Sequence, residues 1–129
     1  MSRWAVPLGL IIGLCASVVE AKEMRCDYSK VVMCNDTGDC ADMPNSFYAV
    51  IDSTKGSYWR CDLEGSEPDG CYTFKGSFTK AGIVTIIDVE ADKEDELIRS
   101  RIGADGQTFL ETTIKPAYSF QYFGSCKAR

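Results

Sequence analysis

Apolar and polar residues alternate with a period of two along most of the chain from residue 46 onward. The alternation occurs at 47–51, 72–79, 97–102, 109–114 and 118–123. This period is typical of half-buried β-strands, whose successive side chains point to opposite faces of a sheet. The segment GIVTIIDV at 82–89 is apolar at both parities and is expected to be a central strand. No capped apolar period of 3.6 residues is long enough to predict a helix.

The same alternation predicts which side chains face the core. Ile98 and Ile102 are expected to point inward, opposite Leu97, Arg99 and Arg101. In the next segment, Leu110 and Ile114 are expected to point inward. Phe109, Glu111 and Thr113 occupy the opposite parity, so Glu111 is expected to face solvent, where it can pair with Arg99 or Arg101 across strands.

Short segments rich in Gly, Pro, Asp and Lys separate the alternating runs: DSTKG, LEGSEPDG, TKAG, EADKEDE, GADG and KPA. Their composition and length suit hairpin turns, and EADKEDE at 90–96 is expected to be an acidic hairpin tip. With a first strand at 26–33, we predict an all-β, antiparallel meander of seven or eight strands. It is expected to close into a small up-and-down barrel or a curled sheet, because closure removes exposed strand edges. A two-sheet β-sandwich is the alternative.

The N-terminus has the features of a secretory signal peptide. Arg3 is followed by an uncharged run from Trp4 to Val19, and Val19-Glu20-Ala21 offers small residues at a cleavage site. The sequence therefore predicts a signal peptide at 1–21, a single disulfide-bonded domain at 22–129, and a periplasmic or secreted location. No membrane insertion is expected after cleavage, because the apolar run is shorter than the roughly 20 residues of a membrane span.

Six cysteines remain once Cys15 leaves with the signal peptide, and an even number in a small exported domain predicts disulfides. Zinc and thioredoxin-type chemistry are disfavoured, because the chain has no histidine and no C-x-x-C pair. Many pairings are formally open. Two cysteine pairs bracket turn-forming residues, which leaves the first and last cysteines for each other. The expected bonds are Cys34–Cys40, Cys61–Cys71 and Cys26–Cys126.

The segment CNDTGDC at 34–40 offers oxygen ligands at Asn35, Asp36 and Asp39, with Asp42 just beyond. Calcium loops alternate D-x-D-x-D-G with a distal Glu, and that pattern is missing. We therefore expect a disulfide-closed surface loop, no metal site and no cofactor.

Charge and composition narrow the function. A net charge of −5 argues against nucleic acid and anionic membranes as partners. The absence of histidine excludes Ser-His-Asp and Cys-His catalysis. The remaining enzymatic reading is a small hydrolase with paired carboxylates, from Asp88, Glu90 and Glu111. So small a domain leaves little room for a cleft, and a non-enzymatic protein is expected.

A binding protein of unknown partner is the favoured interpretation, with an inhibitor-like module acting on another protein as its first form. A carrier of a small apolar ligand is the alternative. For the carrier, six aromatic side chains are candidates to face the ligand. They are expected instead to fill the core, because strands of about seven residues make a narrow barrel whose interior is occupied by side chains. The six are Tyr72, Phe74, Phe78, Tyr118, Phe120 and Tyr122.

The signal peptide, the early cysteine cluster, the LIRSRI strand and the ending YFGSCKAR resemble small exported proteins of alphaproteobacteria, a group whose function is uncharacterised. This resemblance covers most of the domain and implies no activity. Periplasmic inhibitors of c-type lysozyme are similar in size, export and β-content, but their S-G-x-x-Y motif is absent here.

Overall fold

The computed structural model describes residues 23–91 and 95–129, which form nine strands and no helix. None of these residues therefore belongs to a helix that could cross a membrane. The predicted signal peptide lies outside the described residues, as does the centre of the predicted acidic tip at 92–94. The strands are β1 (Glu23–Asn35), β2 (Cys40–Met43), β3 (Phe47–Asp52), β4 (Ser57–Asp62), β5 (Cys71–Ala81), β6 (Val84–Val89), β7 (Leu97–Ile102), β8 (Thr108–Ile114) and β9 (Tyr118–Ala128).

The sheet is an antiparallel meander that closes on itself. From β3 to β9 each strand pairs with the next along the chain, and β9 then pairs with β1. The first half of β1 also pairs with β3, and its second half pairs with β2. The predicted all-β barrel is confirmed as eight strands, and the sandwich alternative is wrong. The short strand β2 lies outside the barrel and was not predicted.

The barrel interior is filled mainly by apolar side chains at alternate positions of each strand. Ile98 and Ile102 of β7 are buried as predicted, whereas Leu97, Arg99 and Arg101 are exposed. On β3 the inward-facing Ala49 and Ile51 are buried. The core also holds Cys26, Tyr28, Val31, Tyr58, Ile87, Val89, Phe109, Tyr122 and Cys126.

Strand β8 faces the opposite way from the prediction. Phe109, Glu111 and Thr113 are buried inside the barrel, while Leu110 is partly buried and Ile114 is 47% exposed. The segment has apolar residues at both parities, so the alternation alone did not determine its orientation. The prediction counted Glu111 and Thr113 as solvent-facing because they are polar, yet the interior supplies hydrogen-bond donors to Glu111.

An irregularity marks the seam between β1 and β9. The pairing shifts register between Tyr28 and Lys30, which leaves Ser29 as an extra residue on β1. Opposite this bulge lies Gly124, where an added Cβ would stand 2.1 Å from the backbone oxygen of Asp27. The two strands approach so closely that only glycine fits at this position.

Each disulfide joins two residues that lie directly opposite each other on paired strands. Cys26–Cys126 crosses the barrel seam, Cys34–Cys40 holds β2 to β1, and Cys61–Cys71 joins β4 to β5. This is the pairing expected from the sequence. Only the first bond closes a long stretch of chain, with a separation of 100 residues.

We expect the bond between Cys26 and Cys126 to contribute most to stability. By loop entropy, a crosslink over about 100 residues contributes roughly 4.7 kcal/mol, against less than about 3 kcal/mol for a loop under 15 residues. Changing Cys26 and Cys126 to alanine should therefore lower the free energy of unfolding more than changing Cys34 and Cys40. Urea titrations of the two double variants compare the losses. Equal losses, or a larger loss at the short loop, would contradict this expectation.

Gly124→Ala should destabilise the barrel by about 2 kcal/mol or more, at the upper end of the cost of overpacking. The reason is the backbone contact with Asp27, which can be relieved only by separating β1 from β9. Ser125→Ala is the matched control, since Ser125 is the next residue and is exposed. Similar unfolding midpoints for the two variants would show that the seam tolerates a side chain at position 124.

Candidate functional site

Five polar side chains meet inside the barrel at mid-height, and we call them the interior polar cluster. They come from four strands: Tyr28 of β1, Tyr58 and Arg60 of β4, Ser100 of β7 and Glu111 of β8. Inward-pointing positions on these strands bring them together, although they lie up to 83 residues apart in the chain.

Glu111 is the centre of the interior polar cluster, and its side chain is completely buried. One carboxylate oxygen, Oε1, accepts hydrogen bonds from the Tyr58 hydroxyl and from Ser100 Oγ, the latter at 2.9 Å. The other, Oε2, accepts from the Tyr28 hydroxyl at 2.9 Å and from Arg60 Nη2 at 2.7 Å. Four donors therefore replace the water that the carboxylate loses on burial.

Burial sets the protonation of the surrounding groups. It raises the pKa of Tyr28 and Tyr58 well above the usual value, and the neighbouring Glu111 charge adds to this effect. Burial opposes the charge of Arg60, but the oxygens of Tyr58 and Glu111 outweigh it and raise the pKa of the guanidinium. At neutral pH the cluster therefore holds neutral tyrosines and a charged arginine, all of which donate hydrogen bonds to Glu111.

A small cavity of about 330 Å³ lies beside Arg60, at the barrel end that carries the β8–β9 turn. Its walls include Val31, Phe47, Phe120 and Tyr122. Arg60 is 13% exposed in its side chain, and its guanidinium carbon lies 5.3 Å from the ring centre of Tyr122.

A wide cavity of about 600 Å³ occupies the opposite end, where β1 begins and β9 ends. Its apolar surface comes from Met24, Ile51, Phe78, Ile83, Ile102 and Cys126, among others. The wide cavity and the small cavity have no lining residue in common.

Three charged side chains line the wide cavity: Lys80, Lys127 and Asp105. Asp105 accepts hydrogen bonds from the turn that joins β7 to β8. The Thr108 hydroxyl, together with the backbone N–H groups of Thr108 and Gln107, lowers the pKa of Asp105 to about 2. Its carboxylate is thus engaged in the turn. Among the described residues, neither lysine forms a salt bridge.

The six candidate aromatic side chains do not form one surface. Phe78 lines the wide cavity, and Phe120 and Tyr122 line the small one. Phe74 packs edge-on against Tyr58, with ring centres 6.2 Å apart. The remaining two, Tyr72 and Tyr118, are 61% and 39% exposed.

The carboxylates considered for hydrolysis are not brought together. Asp88 lies on the outside of β6, where it accepts a hydrogen bond from Arg99 at 2.6 Å, while Glu111 is inside the barrel. The expected pairing of Glu111 with Arg99 or Arg101 is therefore wrong, because β8 faces the other way. Glu90 follows the end of β6 and is exposed.

The CNDTGDC segment forms the turn between β1 and β2. Asn35 Oδ1 accepts hydrogen bonds from the backbone N–H groups of Thr37 and Asp39 and from the Thr37 hydroxyl. Asp42 lies 3.8 Å from the Lys30 ammonium. The side chain of Asn35 is thus used to shape the turn.

The described residues contain one close group of metal-ligating types, formed by Cys61, Cys71 and Glu67. Both of its sulfur atoms are consumed in a disulfide, and Glu67 accepts hydrogen bonds from Tyr48 and Arg129. Those two partners, Arg129 first, lower the pKa of Glu67. This group fastens the β4–β5 loop to the outside of the barrel and lacks thiolates for a metal.

Sequence reasoning missed Arg60 and most of the interior polar cluster. Alternation gave no signal for it: Trp59 and Cys61 form the more apolar parity of β4, so Tyr58 and Arg60 would be expected to face solvent, yet they contact Glu111 inside the barrel. An arginine at an inward parity requires a buried acid, and Glu111 is the acidic residue that β8 supplies.

Comparisons with known protein families and with curated proteins find no match to this chain.

Glu111→Gln should lower the free energy of unfolding by about 3–5 kcal/mol, because it leaves the Arg60 charge buried without its partner. Asp88→Asn is the matched control, since it breaks the exposed pair with Arg99, whose net worth is about 0–1 kcal/mol. Urea titrations at neutral pH measure both losses. A loss for Glu111→Gln as small as that of the control would mean that the buried ion pair contributes little.

Proposed function

We propose that the protein is an exported, non-enzymatic binding protein that holds a small apolar ligand in the wide cavity. The observation that carries this proposal is the cavity itself, which measures about 600 Å³ and has mostly apolar walls. Small-molecule sites are typically concave, apolar and roughly 300–1,000 Å³ in volume, and the mouth of a β-barrel is one of their usual places.

Rigid strands and turns hold the proposed site in shape. Ile51 and Ile102 are buried core residues that also line the wide cavity, so its floor is the top of the packed interior. Cys126, held by its disulfide to Cys26, forms another part of the wall. A site with walls this fixed loses little conformational entropy when a ligand binds.

The charges that line the wide cavity suggest which apolar ligands it prefers. Asp105 is engaged by its own turn, which leaves Lys80 and Lys127 to act on a ligand's polar end. An apolar body with an anionic end, such as a medium-chain carboxylate, fits this distribution of charge.

The second candidate function is binding to another protein, in which this protein acts as an inhibitor-like module. Its support is the outer face of the barrel, where Leu97 and Ile114 are cross-strand neighbours and are 52% and 47% exposed. Leu110 and Phe123 are a second cross-strand pair on this face, and Phe123 is 39% exposed. The polar pair Thr112 and Gln121 lies between the two apolar pairs, so the face has no large continuous apolar patch of the kind that protein-binding surfaces usually show. The ligand carrier is therefore the function that we favour.

The proposed location is the periplasm or the external medium. Three disulfides within one chain are consistent with an oxidising compartment, since the cytosol keeps thiols reduced.

Binding of the fluorescent probe anilinonaphthalene sulfonate, which is apolar and anionic, tests the proposal. The folded protein should bind it saturably at one site, and octanoate should displace it. Thr85→Trp should weaken binding at least about tenfold, because Thr85 lines the wide cavity and an indole there fills it.

Thr73→Trp is the matched control, since Thr73 is exposed on β5 and does not line the wide cavity. Equal binding by the two tryptophan variants would overturn the carrier proposal. So would probe fluorescence that rises without saturation.

A further inference from the structure

The small cavity at the other end of the barrel has the features of a second binding site. Arg60 lines it together with apolar and aromatic walls from Val31, Phe47, Phe120 and Tyr122. Its volume of about 330 Å³ suits a compact molecule such as a single substituted ring. Unlike the wide cavity, it has a charged hydrogen-bond donor projecting from the barrel core.

Arg60 reaches this cavity in a fixed orientation. Its Nη2 donates to Glu111, and its Nε is enclosed by protein without a hydrogen-bond partner among the described residues. Nη1 also has no hydrogen-bond partner among the described residues, but it is not fully enclosed as Nε is. Nη1 is therefore the donor that can reach a ligand in the cavity. Stacking against the Tyr122 ring limits the guanidinium further. Because the guanidinium is already held in one orientation, it loses little conformational entropy when it donates to a ligand.

The charges around the small cavity already compensate one another. Glu111 balances Arg60 from behind, and the other two charged residues of the lining, Lys115 and Glu96, have opposite signs. The lining, counted together with Glu111, therefore carries no net charge, so a ligand that brought a further charge into this partly enclosed space would lose hydration without a net opposite charge to offset the loss. A neutral acceptor would satisfy Nη1 without that cost.

Two of the other polar side chains of the lining, Asn45 and Thr113, are committed or enclosed, whereas the hydroxyls of Ser46 and Tyr122 have no hydrogen-bond partner among the described residues. Asn45 donates to the backbone oxygen of Tyr28 and accepts from the backbone N–H of Phe47. Thr113 Oγ1 is enclosed and has no hydrogen-bond partner among the described residues. Arg60 is therefore the charged donor that the barrel core holds in place beside the small cavity, and the Ser46 and Tyr122 hydroxyls add neutral groups next to it.

We infer that the small cavity binds a neutral, compact ligand that presents a carbonyl oxygen to Arg60 and an aromatic or branched apolar body to the cavity walls. This site is separate from the wide cavity and does not depend on the function proposed for it. Glu111 then has two roles: it completes the core, and it leaves Arg60 able to prefer neutral acceptors over anions.

Benzamide and benzoate are a suitable pair of probes, because they share size and shape but differ in charge. Calorimetric titration should give saturable binding of benzamide that is at least about tenfold tighter than that of benzoate. In NMR spectra, benzamide should shift the side-chain signals of Arg60. Equal or tighter binding of benzoate would overturn the inferred ligand class, and no binding of either probe would overturn the site.

Variants assign the binding to the small cavity. The double variant Arg60→Met with Glu111→Gln removes both charges together, so neither is left buried alone. Gln keeps one acceptor oxygen for the hydroxyl groups, and its N–H donates to a tyrosine hydroxyl at the other position. The double variant should fold and bind benzamide at least about tenfold more weakly. The matched control is Arg99→Met on the outer face.

Two further comparisons decide the location. Thr85→Trp, which fills the wide cavity, should leave benzamide binding unchanged if the ligand occupies the small cavity. Benzamide binding that survives the Arg60 and Glu111 changes, or that is lost in Thr85→Trp, would overturn the inference. Should the double variant fail to fold, Phe120→Trp, which fills the small cavity from its wall, replaces it and must likewise abolish binding.

Discussion

The pairing of β1 with β9 turns a meander of neighbouring hairpins into a closed barrel. It runs from Met24–Ala128 to Asn35–Tyr118, and it is the pairing that joins the two ends of the described chain. Because these contacts are the most distant in sequence, their loop-closure entropy is the largest in the fold. The bulge at Ser29, the close approach at Gly124 and the disulfide at Cys26 all lie on this seam, so the strands with the most costly pairing also carry the most constraints.

Closure also decides where ligands can bind. An eight-stranded barrel has an interior just wide enough for its own side chains, and here the middle is occupied by the interior polar cluster and the aromatic rings around it. The wide cavity and the small cavity lie at the two ends, where strands give way to turns. Apolar core residues form the floor of the wide cavity, whereas Arg60 lines the small cavity. The chemical difference between the two ends therefore follows from which layer of the core each one touches.

Much of this fold was predictable from local patterns. Alternation and turn composition gave the strands, and the same turns bracketed two of the three disulfides, so the third followed. Orientation failed at β8, where FLETTI places apolar residues at both parities and where Glu111 counted as a polar, outward residue. The correct facing depends on Tyr28, Tyr58, Arg60 and Ser100, which lie on three other strands. Periodicity within one segment carries no information about donors that distant strands supply, and this is why the site was missed while the fold was not.

A buried ion pair is weak support for stability, because desolvation offsets most of the attraction and apolar residues of similar volume often serve as well. The pair of Arg60 and Glu111 is held by every hydroxyl of the interior polar cluster, an arrangement more elaborate than core filling requires. What the network does achieve is to fix one guanidinium in one orientation beside a cavity, with its charge already balanced. Recognition needs a preorganised donor, whereas stability does not, and this difference supports the link that we infer between the polar centre of the barrel and a ligand at its end.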